Sequence, residues 1–218
     1  MNYFAHAHVA ASLGNPDAGL LGAMLPDFAH MIGVRIAGLT HPALAAGAAL
    51  HHRTDAAFHA SPSFRGLVRE GVQALVRARV ARGPARGAAH VGVELLLDAA
   101  LAGSEVADAR YLGALRLAPA LEAEISWREE CGGPRWKTLR ARLLGAGPPA
   151  PCPAPARVAE RIGRVLESRP RLRLDVGERA ALVDWVTSAA PVVARQAAPM
   201  LEETLAGIER AAPTQGCG

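Results

Sequence analysis

An all-α fold is what the sequence predicts, from three observations. Aromatic residues make up only 4% of the 218 positions and β-branched residues are sparse, so good strand formers are scarce. Alanine and leucine, which favour helices, abound. No segment sustains the apolar–polar alternation of a half-buried strand. Half of the residues are hydrophobic, enough at this length to fill a sizeable core.

The elements follow from periodicity and punctuation. Helices are expected over residues 2–13, 18–32, 42–60, 63–81, 86–102, 105–129, 134–144, 155–168 and 176–210. Gly14, Asn15 and Pro16 end the first. Thr40, His41 and Pro42 supply a cap and first turn for the third, which Pro62 closes. Gly83, Pro84 and Gly87 break the chain ahead of the fifth, and residues 145–155, GAGPPAPCPAP, read as a linker. The expected organisation is one helical bundle spanning 1–218 with an interior metal site. It comprises a metal-binding core at 1–145, a Pro-rich linker at 146–156, and a C-terminal helical hairpin at 157–212 packed on the core. A piece of about 60 residues is too small to be stable alone.

Composition excludes several classes. No apolar run has the length and freedom from charge of a membrane helix, because His6, His8, Asp17, Asp27 and His30 interrupt the apolar first 34 residues. MNYFAHAHVA has neither the positive start nor the greasy centre of a secretory signal, so the expectation is a cytoplasmic protein. Cys131, Cys152 and Cys217 are too scattered for a zinc knuckle or a disulfide framework. The net charge of +4 does not demand nucleic acid, and none is expected as a partner. Arginines do concentrate in RARVARGPARG, residues 77–87, which reads either as a solvated loop or as a docking site for an anionic partner.

The histidines carry the chemical signal. All eight, at 6, 8, 30, 41, 51, 52, 59 and 90, fall in the first 90 residues. On a helix over 42–60, His51, Asp55 and His59 stand at i, i+4 and i+8 on one face, with His52 beside them. His90, Glu94 and Asp98 repeat that spacing on an otherwise apolar helix, and burying such groups calls for a cation or strong hydrogen bonds. Asp27 is the single acid in GAMLPDFAH and makes a third contributor. These donors exceed the needs of one ion and favour two divalent cations. Lacking sulfur, the set suits manganese or iron, with zinc also admitted.

At these residues the chain resembles the acyl carrier protein phosphodiesterases, metal-dependent helical hydrolases related to the histidine-aspartate phosphohydrolases. The resemblance rests on MNYFAHAHVA, LPDF, GAALHHRTDAAFHASP and ELLLDAALA, all within about the first 100 residues. It implies Asp27, His51, Asp55 and Asp98 as metal ligands, with Arg53 at or near a family arginine. The chain departs from the family pattern at His59 and Glu94, where aspartate is usual, and at Ala99, where histidine is usual; His52 and His90 are additions.

The expectation is therefore a metal-dependent hydrolase of phosphodiester or phosphomonoester bonds. The resemblance further implies release of phosphopantetheine from an acidic acyl carrier protein. Asp27, His51, Asp55, His59, His90, Glu94 and Asp98 would hold metal, Arg53 would bind a phosphoryl oxygen, and His6 or His52 would move protons. Arg77, Arg79, Arg82 and Arg86 would suit any phosphate-bearing partner. Three alternatives stay open: a di-iron oxidase or oxygenase, a zinc-dependent phospholipase C-like hydrolase, and a non-enzymatic helical module.

Overall fold

The computed structural model describes residues 1–211, and Cys217 lies outside them. It is all-α. The helices are α1 (Tyr3–Ser12), α2 (Asp17–Met31), α3 (Pro42–Ala60), α4 (Pro62–Arg77), α5 (Arg82–Leu101), α6 (Glu105–Leu117), α7 (Gly132–Ala146), α8 (Pro155–Glu167) and α9 (Val176–Arg210). Short 3-10 segments cover Ala118–Glu124 and Pro170–Leu172. Among the described residues no helix is long and apolar enough to cross a membrane. Cys131 and Cys152 are free and exposed.

Three departures from the expected boundaries have local causes. The helix expected over 105–129 stops at Leu117, because Pro119 can neither donate to the carbonyl four residues back nor fit beside it. The fourth helix ends at Arg77 instead of running to 81. Arg79 takes a left-handed φ of 70°, and the Val80 amide donates back to the Leu75 carbonyl at 3.0 Å. The fifth begins at Arg82, ahead of its expected start: Pro84 falls in the first turn, where an amide has no helical acceptor to lose.

A fourth departure adds an element. Strands β1 (Ile36–Leu39) and β2 (Ile125–Trp127) pair antiparallel, matching Ile36 with Trp127, Gly38 with Ser126 and Leu39 with Ile125 around a bulge. Its ends are tied by backbone bonds from Arg128 to Arg35 and from Thr40 to Glu124. Strands of four and three residues are too short to show alternation.

The chain divides into two compact units. Among the described residues the first comprises Met1–Ala56, Leu101–Pro149 and 208–211; the second comprises Ala57–Ala100 and Ala150–Gly207. One break between them thus falls inside the Pro-rich stretch.

In the first unit, α1, α2, α6 and α7 share one apolar centre. Leu20, Leu21, Met24, Leu25 and Phe28 of α2 are fully buried, each stabilising by roughly 1.5–3 kcal/mol relative to exposure. Phe28 stacks on Trp136 at 5.3 Å, and Phe4 meets Tyr111 edge-on at 5.3 Å. α2 and α3 approach so closely that side chains are excluded between them. A Cβ on Gly47 would lie 2.1 Å from the Gly19 carbonyl oxygen, and one on Gly22 would lie 2.3 Å from the Leu44 carbonyl oxygen.

The second unit buries Phe58, Phe64, Leu75, Leu97, Ile162 and Trp185. Its α4 has a composite cap. Ser61 accepts from the Phe64 amide at 3.1 Å, and its own hydroxyl donates to Glu203 of α9. Glu203 also accepts from the Ser63 amide at 3.0 Å and the Ser63 hydroxyl at 2.8 Å. These contacts place a carboxylate at the positive end of a helix dipole and hold the Glu203 carboxyl below its ordinary range against the opposing effect of desolvation.

Candidate metal centre

The glycine seam of the first unit positions its donor groups. With α2 and α3 in contact at Gly19 and Gly47, the residues one turn further along, Ala23 and His51, come within hydrogen-bonding distance. His51 Nδ1 is 2.9 Å from the Ala23 carbonyl oxygen. A carbonyl can only accept, so Nδ1 carries the hydrogen and Nε2 keeps the lone pair. Burial, and next the neighbouring His6, push the His51 ring down to about 3, so it is neutral across the physiological range. A neutral ring fixed through Nδ1 is the form that binds a metal through Nε2.

Two more side chains complete this group. His6 from α1, with its side chain wholly buried, stacks on His51 at 3.9 Å between centroids. Asp27, one turn past Ala23 on α2, is half-buried. One donor atom from each of His6, Asp27 and His51 lies within 4.8 Å of the others. Asp55 is placed differently: its Oδ1 is 2.8 Å from the buried Met1 amine and 3.6 Å from His6 Nε2.

The second unit holds an independent group of the same composition. His59 Nε2 and His90 Nε2 stand 3.2 Å and 3.1 Å from the same oxygen, Oε1 of Glu94. Phe58 and Phe64 pack around the two imidazoles. Desolvation alone would raise the Glu94 carboxyl, but hydrogen bonds from His59 and then His90 outweigh it and hold the carboxyl well below its ordinary range. The Glu94 side chain is 15% exposed, and those of His59 and His90 are 35% and 42% exposed, so this group opens to solvent while the first is interior.

The seven expected ligands are therefore distributed as follows. Asp27 and His51 meet in the first unit, His59, His90 and Glu94 meet in the second, and Asp55 and the fully buried Asp98 belong to neither trio. His6, read from the sequence as a proton carrier, joins Asp27 and His51 as a potential ligand. Its signal was available: Tyr3, Val9 and Ala10, its neighbours at i−3, i+3 and i+4, are all apolar and all buried. His8 turns to the other side of α1. His52 and Arg53 are exposed, His52 meeting the His51 ring edge-on at 5.3 Å. Arg77, Arg79, Arg82 and Arg86 are exposed as well.

No protein-family model, curated protein or solved structure matches the chain. Each trio supplies two imidazoles and one carboxylate, a nitrogen–oxygen set without sulfur that fits zinc, manganese or iron(II).

Proposed function

We propose that the protein is a metal-dependent hydrolase of phosphate esters whose principal cation is held by His6, Asp27 and His51, with a second cation held by His59, His90 and Glu94. The observation that carries the reading is the tie from His51 to the Ala23 carbonyl, the outer-shell bond by which a ligand histidine is fixed in one tautomer with its Nε2 lone pair left free. A structural histidine in an apolar interior has no need of a neighbouring imidazole at stacking distance and a carboxylate beside it.

A divalent cation bound there would acidify a coordinated water and polarise a phosphoryl oxygen. The chain's own groups have distinct tasks in this scheme. Asp27 offsets the cation's charge. His51 keeps one tautomer. His52, exposed beside His51, is the residue left to exchange protons with solvent. Arg53, also exposed and two residues from His51, is the arginine whose planar fork would bind a non-bridging oxygen. The family resemblance makes a phosphopantetheinyl acyl carrier protein the first natural substrate to assay, with the exposed arginines of residues 77–86 as its docking charges.

A second reading, oxygen activation at iron, is favoured by one feature: two imidazoles and one carboxylate are also the donor set of non-haem iron(II) oxygenases. The two readings separate on oxygen. Protein purified without chelators should contain a transition metal and hydrolyse bis(p-nitrophenyl) phosphate or the carrier protein anaerobically, and both Asp27→Ala and His51→Ala should lose metal and turnover. Metal-loaded protein that cleaves no phosphate ester, yet consumes oxygen with iron(II), would replace the first reading by the second.

A further inference from the structure

Beside the His6, Asp27 and His51 group, in the same unit, is a cavity of about 610 Å³, within the range of small-molecule sites. Two of its lining residues, Pro26 and His52, are the chain neighbours of Asp27 and His51. Four lining side chains are basic or protonatable, namely His30, Arg35, His52 and Arg128, and no carboxylate lines it. The remaining wall is apolar and includes Val34, Ile36 and Leu39.

The arginines stand together because of the ribbon. The Arg128 amide donates to the Arg35 carbonyl at 2.9 Å, extending the β1–β2 ladder by one rung and bringing two distant segments to one rim. Arg35 is oriented by Glu129: its backbone amide donates to Oε2 at 2.7 Å and its Nε to Oε1 at 3.1 Å. That pairing offsets one positive charge. The Arg128 guanidinium makes no hydrogen bond or ion pair among the described residues, so its planar fork is available to an incoming anion.

We infer that this chamber receives the non-reacting end of the substrate and selects a small amphiphilic anion, its negative group held by Arg128 and Arg35 and its apolar stem lying against Val34, Ile36 and Leu39. Selection of an anion follows from the lining alone; the role as a substrate subsite rests on the hydrolase reading above. Charge and apolar wall together exclude two simpler ligands, a bare inorganic anion and a neutral lipid-like stem, since each would satisfy only half of the lining.

The test is calorimetric titration of the full chain with octyl phosphate, inorganic phosphate and octyl glucoside, below their micellar concentrations. Each is titrated once with chelator, so that no bound cation attracts the probe, and once after metal loading. Octyl phosphate should bind one per chain in both states, at least tenfold more tightly than either control. Arg128→Ala should weaken it about tenfold or more, and Arg35→Ala less, with helical circular dichroism unchanged. Equal binding of octyl glucoside, equal binding of inorganic phosphate, or indifference to Arg128→Ala would each overturn the inference. If octyl phosphate fails to bind while metal-dependent ester hydrolysis persists, the chamber assignment falls alone. If binding responds to Arg128→Ala but no metal supports hydrolysis, the proposed reaction falls and an anion site remains.

Discussion

Replacing Gly47 by alanine adds one methyl group, and its cost can be worked out from the α2–α3 seam. The new Cβ would stand 2.1 Å from the Gly19 carbonyl oxygen and 2.8 Å from the Ala23 amide nitrogen, both backbone atoms of α2 that cannot rotate aside. The closest comfortable approach of carbon to oxygen is about 3.3 Å, so the two helices would have to separate by roughly 1 Å. Overpacking of this kind costs about 1–3 kcal/mol, of which the better helix propensity of alanine returns only about 1 kcal/mol. The same displacement would stretch the His51–Ala23 bond from its present 2.9 Å to about 4 Å, beyond hydrogen-bonding range. Loss of such an outer-shell bond lowers metal affinity by about 10–100-fold. Gly66 of α4 is the control, because nothing lies within 4 Å of its Cβ position; there alanine should stabilise by about 0.5–1 kcal/mol. Urea unfolding followed by circular dichroism, together with zinc and manganese titration of both variants, measures the two effects. A Gly47→Ala protein that matches wild type in stability and metal affinity would refute the account of how the seam positions His51.

Two further perturbations test the same framework. Glu203→Gln keeps the shape of the α4 cap but removes its charge, and should cost about 1–2 kcal/mol at pH 7 by chemical denaturation. Because the folded Glu203 pKa is depressed, that contribution is present above about 4.5 and disappears as pH falls through the folded value, so variant and wild type should converge in acid; a gap that does not shrink as the pH is lowered below 4.5 would contradict this. For His51 the folded pKa, near 3, lies below the unfolded 6.5. The unfolded chain thus takes up the proton first on acidification, and stability is lost progressively below about 6.5. This term amounts to about 2 kcal/mol between pH 7.5 and 5, and metal-free His51→Gln should show a correspondingly shallower pH dependence of its urea midpoint; an unchanged slope would show that His51 is not held neutral.

The sequence revealed helices and their donor residues more readily than it revealed their grouping. Long helices such as 42–60 and 176–210 kept their expected boundaries, the first because Pro42 and the Pro62 that follows signal its ends locally. Local periodicity put His51 and Asp55 on one face of α3. It could not show that Asp55 faces the Met1 amine, a contact made across 54 residues. Glycines 22 and 47 have no side chain to signal their role, which depends on a neighbour brought alongside by the fold. The ribbon was invisible for a related reason: Arg35 and Arg128 become neighbours only through pairing between segments that carry no common motif.

That pairing has a kinetic corollary. Joining Ile36 to Trp127 closes a loop that contains α3 through α6, and contacts of such high sequence separation form after local helices. A refolding chain should regain its ellipticity before it regains affinity for octyl phosphate, so the delay between the two signals would time the closure of the arginine rim.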